Sequence, residues 1–390
     1  MRYQSPDPYH STLIPLMISA EDALARLDER TNRHAVEDGY RERGHFFDAV
    51  AALWVAGELV HVEDLVLHDA RMDARAPTHE LTIAHAVLRA RRRVWLAEPS
   101  WALSTPGLSA LRGEQLAVAS GDDAASADPD QQPPLAHGGG EQGRAAEYGE
   151  EDEVNPMAAE LAAIDAVIAR SQQLLDAHDQ DALDLAERAA RATDPEPLGQ
   201  LGLLFDDEWD EQARLDDWRQ AIAAADQLPP CLGAALLFDT WERAEPLRRQ
   251  HWLGSLLVSA YLRSRGKVTS HLLAFNTGLK TIRHERRRSQ DAITRWSAFL
   301  EAMIVTADLG LKELDRLSLA KTQMEMRVRD RRSNSSLPAL IELVLSRPIV
   351  SAALVAHHVG VTPRGALNLV RELGIREMTG RGRYRGWGVL

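Results

Sequence analysis

At 390 residues the chain is too long for one ordinary core, so two or three domains are expected. Hydrophobic residues make up 45 %, ample for folding, and the single cysteine, Cys231, excludes a disulfide framework and any multi-cysteine zinc site. The net charge of −13 conceals an asymmetry, because residues 1–259 hold 22 Lys and Arg against 47 Asp and Glu while residues 260–390 hold 23 against 11.

A surface that binds phosphate needs local positive charge whatever the total. The asymmetry therefore points to nucleic acid as a partner of the C-terminal third only. The opening MRYQSPDPYH has no apolar core, and no run of eighteen apolar residues occurs. No membrane partner is expected, and the chain reads as soluble and cytoplasmic. Alanine is frequent and β-branched runs are short, which predicts a mainly α fold with the nine Trp as packing anchors.

In chain order, Ser19 and Asp22 predict a cap before the helix AEDALARLDER. A second helix is expected over Tyr40–Val60, with Phe46, Phe47, Val50, Leu53 and Trp54 inward, and a short one over Val62–His68. Pro77 is expected to open a helix whose Leu81, Ala84, Leu88 and Trp95 share one side. The cluster Arg89–Arg93 falls near its C-terminal end, where cations suit the helix dipole, and reads as a solvated helix end. Residues 1–110 thus form an N-terminal helical region.

Residues 111–155 change character. GDDAASADPDQQPPLAHGGGEQGRAAEYGEEDE is nearly free of large apolar groups and cannot offset its conformational entropy by burial. It reads as an acidic disordered linker or insertion. Residues 156–332 restart helical structure at Asn155–Pro156, with Met157, Leu161, Ile164, Ile168 and Leu175 at helical spacing. Further helices are expected over 181–192, 207–225, 233–244 and 247–265. A long one follows over 289–332, where Gly310 is a candidate bend and RDRRSNSS a joint.

The last segment, 333–390, carries the sharpest pattern. Leu337–Ser346 is a helix stopped by Pro348, and Ser351 caps a second helix through His358. Gly360 supplies the positive φ of a tight turn, Thr362 caps a third helix, and Pro363 takes its first position. Val355, Val359, Val361, Ala366 and Leu369 fall where two steeply crossed helices meet, with Ala356 at their closest approach. Arg364, Leu367, Asn368 and Arg371 remain outward. Ile375–Leu390 alternates around TGRGR, predicting a two-stranded wing with Gly380 and Gly382 in its turn and Arg381, Arg383 and Arg385 projecting beside Tyr384. Nine Arg and no Lys occupy the last sixty residues.

Chemistry elsewhere is not announced. His79–Glu80 would need a second His at position 83, which is Ile, while His85 is six residues on. His357 and His358 are adjacent and point apart. Glu63–Asp64 and Asp206–Asp207–Glu208 read as helix caps or solvated faces. No GxSxG elbow, phosphate loop or dinucleotide fingerprint occurs. No cofactor, no metal and no enzymatic activity are expected.

Two resemblances add to these readings. DLVLHDARMDARAPTHELTIAHAVLRARRRVW, WLGSLLVSAYLRSRGKVTSHLLAFNTGLK and REMTGRGRYRGWGVL resemble an uncharacterised, often plasmid-borne bacterial family. That family pairs a domain of unknown function with a C-terminal helix-turn-helix, which implies DNA binding. More distantly, the layout resembles that of Fic-domain proteins, with GSLLVSAYLRSRG similar to the helix after their active-site loop, HPFxDGNGRxxR. The matching place, EPLRRQHWLGSLL from Glu245 to Leu257, lacks the Asp and the Gly-Asn-Gly turn, and His251 is out of place for the base. Leu59 stands where the inhibitory Ser or Thr would precede Glu63. A shared fold would therefore imply lost or unrecognised nucleotidyl transfer.

The expectation is a mainly α, multi-helix body with a C-terminal winged helix-turn-helix that binds double-stranded DNA as a transcriptional regulator. In that reading Thr362 opens the third helix in the major groove. Arg364 pairs with guanine and Asn368 with adenine, while Arg371, Arg381, Arg383 and Arg385 contact phosphate, with Tyr384 beside them on the DNA-binding face of the wing. The body is the dimerising, homodimer-forming or signal-receiving part. The alternatives are a Fic-like enzyme and a plasmid-maintenance or toxin–antitoxin module that binds protein.

Overall fold

In the computed structural model, residues 6–72, 76–119, 209–329, 336–379 and 385–389 are described. The helices are α1 (Leu13–Thr31), α2 (Glu37–Ala56), α3 (Val62–Asp69), α4 (His79–Leu96), α5 (Thr105–Ala119), α6 (Glu211–Ala225), α7 (Pro230–Ala244) and α8 (Trp252–Ser264). They continue with α9 (Phe275–Leu279), α10 (His284–Arg287), α11 (Ala292–Val328), α12 (Leu337–Ser346), α13 (Ala352–Val359) and α14 (Pro363–Leu373). Among the described residues the strands are β1 (Val350–Ser351), β2 (Arg376–Glu377) and β3 (Gly386–Gly388), all C-terminal. The fold is mainly α, as composition predicts.

The helix boundaries follow local chemistry, with three corrections. α1 begins at Leu13 rather than at Ser19, because Leu13, Ala20, Leu24 and Leu27 form one buried stripe that runs through the expected cap. α4 begins after Thr78, whose hydroxyl accepts from the Leu81 amide, and Pro77 lies just outside. α6 begins after Asp210, which caps the Ala213 amide at 2.9 Å. The expected helices between 155 and 192 lie outside the described residues, as does the expected linker 111–155 from residue 120 on; its first nine residues instead complete α5, with Leu111 buried in the core.

α11, with 37 residues, is about 55 Å long at 1.5 Å per residue. Asp291 caps it, accepting from Thr294 N at 2.8 Å. These bonds hold the Asp291 carboxyl below its usual range. Its buried side, Trp296, Leu300, Met303, Ala307, Leu314 and Leu317, faces the core. α1 lies along α11, and α7 and α8 form the innermost pair, buried on nearly every side. At Gly310 the helix carries Tyr40 and Leu27 against its backbone.

A polar cluster is sealed in this core. Asp48 of α2 pairs with Arg91 of α4 and accepts from the Asn276 amide at 2.7 Å and its side chain at 3.1 Å. Arg91 also donates to the Leu272 and Leu273 carbonyls at 3.0 and 3.2 Å. Burial raises the Asp48 carboxyl, against the pull of Arg91 and Asn276. Arg295 and the Trp296 indole share Asp239 in the same manner.

The arginine cluster of α4 is therefore no solvated helix end. Arg91 is fully buried, and Arg92 reaches Asp69 of α3 at 2.6 Å and Glu42 of α2. The 3.6-residue turn of α4 points successive arginines at different neighbours, which one-dimensional clustering conceals. Within α2, Phe46 and Leu53 are buried as expected, but Trp54 is 40 % exposed.

Candidate nucleic-acid interface

Each helix end of the C-terminal segment is set by the residue its chemistry requires. Ser351 Oγ accepts from the Leu354 amide at 3.1 Å and starts α13. Gly360 ends it at φ 70°, a backbone conformation that other L-residues adopt only with strain. Thr362 Oγ1 accepts from Gly365 N at 3.1 Å, and Pro363 occupies the first position of α14. Val355 and Ala366 are fully buried between the two helices, with Ala356 beside them, and Val359, Val361 and Leu369 pack at the edge.

The sheet is antiparallel in the order β1-β3-β2, with Val350 opposite Trp387 and Glu377 opposite Trp387 on the other side. β2 and β3 are the expected wing stem. β1 was not legible, since two residues after Pro348 carry no alternation. Trp387, buried between the two outer strands, gives this small sheet its apolar centre.

α14 presents Arg364, Asn368 and Arg371 to solvent at spacings of four and three, along one face. Arg371 donates to the Asn368 carboxamide oxygen at 3.4 Å, a long bond easily exchanged for a stronger partner. Neither Arg364 nor Arg371 has a carboxylate partner among the described residues. Leu367, expected outward, is half-buried against the core. Thr362 is exposed, with its oxygen committed to the helix start.

Arg385 differs from its neighbours. Its guanidinium donates through Nε to Glu377 at 2.9 Å across the sheet and lies 5.3 Å from the Trp387 ring centroid. The pair holds the Glu377 carboxyl below its usual range. Arg385 braces the wing stem. Arg381, Arg383 and Tyr384, with Gly380 and Gly382, lie outside the described residues.

The body also grips this segment through contacts that linear reading missed. Gly39 of α2 sits against the Leu345 carbonyl of α12, where an added Cβ would come within 2.9 Å of the oxygen. Arg43, buried in α2, donates to Glu313 of α11 at 2.7 Å and to the Arg347 carbonyl at 2.6 Å. Arg327, in the last turn of α11, donates to the Leu373 and Gly374 carbonyls at 2.8 and 3.1 Å. Arg327 thus supplies a cation and two bonds at the C-terminal end of α14. The one sequence signal for such contacts is a glycine or arginine inside an otherwise apolar helical stripe.

The other candidate groups are dispersed. His79 and Glu80 open α4, Glu63 and Asp64 open α3, and His357 and His358 are both exposed on α13. His85 instead meets Asp69 at 3.4 Å and the His68 ring edge-on at 4.7 Å. No cluster of three metal-ligating side chains occurs among the described residues. Glu245–Leu257 is a turn with exposed His251 that runs into the first half of α8, whose Leu253, Leu256 and Leu257 are buried. No described helix is long and apolar enough to cross a membrane.

A family model described as a protein of unknown function, DUF1612, matches residues 203–329, and one described as an HTH DNA binding domain matches residues 337–390. Neither description names an enzymatic activity. The uncharacterised protein y4cF of Sinorhizobium fredii is 44 % identical over 371 residues, 94 % of each chain. The chain belongs to the family of that protein, and its last 54 residues are a helix-turn-helix DNA-binding domain.

Proposed function

We propose that this family member is a transcriptional regulator that reads double-stranded DNA with α14 in the major groove and the wing along the backbone. The observation that carries this reading is the polar stripe Arg364, Asn368 and Arg371 on the exposed face of α14, whose two arginines have no described carboxylate partner. The major groove distinguishes all four base pairs, and arginine and asparagine offer the donor–acceptor patterns of guanine and adenine edges. Arg364 and Asn368 are the base-reading pair, and Arg371, Arg381 and Arg383 the phosphate contacts, with Tyr384 beside them and Thr362 at the entry of the helix. Arg385 takes part through Trp387 and Glu377, as the brace of the wing.

The test is selection of bound sequences from random duplex DNA by the full chain. A motif should enrich, and its affinity should fall steeply with salt, because phosphate contacts release counterions. No enrichment at low salt would refute the reading.

A further inference from the structure

Outside the DNA-reading face, one groove has features that packing alone does not explain. It lies between α2, α9, α11 and the loop that follows α2, and encloses about 510 Å³, within the ~300–1,000 Å³ range of small-molecule sites. Phe47, Trp54, Leu59 and Leu309 form apolar walls. Trp54, Leu59 and Leu309 are 40, 70 and 41 % exposed, so large apolar surface is left uncovered here.

The floor is unusual. Gly44 lies inside α2, where glycine destabilises a helix by roughly 1 kcal/mol relative to alanine. Its neighbour Gly39 has a reason to lack a side chain, since Leu345 presses on it. Gly44 has none of this kind: its φ is not positive, and a Cβ built there meets no atom within 4 Å. The missing side chain accommodates nothing in the chain itself and keeps the groove open.

The charge at the rim is equally specific. Lys280 lines the groove with its ammonium 5.3 Å from the Trp54 ring centroid, and no described carboxylate pairs with it. The other charged wall residue, Glu313, is already bonded to Arg43 and Arg316. The net demand of the groove is for one anion beside flat apolar surface.

We propose that this groove binds a small planar apolar molecule bearing a carboxylate, with its rings along the α2 face that runs from Gly44 past Phe47 towards Trp54 and its anion on Lys280. The site is wired to the DNA-binding domain: Glu313 in its wall bonds Arg43, which bonds the Arg347 carbonyl at the end of α12. The binding is independent of the reading proposed above; its consequence for DNA rests on that reading. The ligand site is therefore tested without DNA.

The probe is 1-naphthoate, titrated into the full chain by calorimetry. Saturable one-to-one binding is expected. Lys280→Ala should weaken it roughly three- to tenfold, as for one partly exposed ion pair, and should leave neutral 1-naphthalenemethanol unaffected. Gly44→Leu should abolish binding of both while the thermal midpoint holds or rises, because leucine fills open space and favours helix. Hydrogen exchange over residues 343–349 should slow when naphthoate is bound. Absence of saturable binding, or equal binding to Gly44→Leu, would overturn the site. Unchanged exchange with intact binding would overturn its link to α12.

Discussion

Arg91 of the body and Arg364 of α14 are the same residue in opposite settings. Arg91 is wholly buried, paired with Asp48 and bonded to two carbonyls, so its charge is spent inside the fold. Arg364 stands in solvent without a described acidic partner. A count of positive charge treats the two alike. Arg91 meets a carboxylate brought to it by a neighbouring helix, whereas Arg364 and Arg371 on the exposed face of α14 have no described carboxylate partner and stay available for an external anion. Local balance, more than local abundance, separates a structural arginine from a binding one.

The strongest way to break this contrast is Asp48→Ala. It strands a buried guanidinium and should lower stability by about 3–5 kcal/mol, read from the midpoint of chemical unfolding. An unchanged midpoint would mean that Arg91 is not the buried, paired group described.

The core also carries a pH signature that the exposed face lacks. Burial, with Arg91 and Arg41 adding to it and Asp28 opposing, pushes the His271 imidazole down to about 4. The unfolded chain, with its histidine near 6.5, takes up this proton first as pH falls. The stabilisation from neutral His271 is thus complete above pH 6.5 and lost between about 6.5 and 4, on the order of 3 kcal/mol. His45, likewise buried and pushed down, acts in the same direction. Urea melts at pH 7 and pH 4.5 should differ accordingly, and His271→Gln should shrink the difference.

On the exposed side, Arg364→Ala and Asn368→Ala should each reduce discrimination between the selected site and a scrambled duplex by about 1–3 kcal/mol. Their unfolding midpoints should match that of the parent chain. Competition binding with both duplexes checks the first part; loss of stability without loss of discrimination would place these residues with Arg91 instead. The smallest effect belongs to Arg327, which bridges the two regions. Arg327→Ala removes a C-terminal cation from α14 and should cost about 0.5–1 kcal/mol, seen as faster hydrogen exchange near Leu373.

Much of the C-terminal domain was legible in the sequence, because its determinants are local. Ser351, Gly360, Thr362 and Pro363 each act within four residues of themselves through a cap, a positive φ or a fixed one, so reading them in order gives the helices directly. The outward positions of Arg364, Asn368 and Arg371 follow from the same helical phase. What the sequence could not reveal depends on partners far along the chain. The sealed pair Asp48–Arg91, the grip of Arg43 on Glu313 and Arg347, the third strand β1 and the open floor at Gly44 exist only once distant helices meet. Dihedral preferences and caps act at short range and leave their mark in adjacent residues; ion pairs and cavities are set by packing, which tertiary structure alone decides.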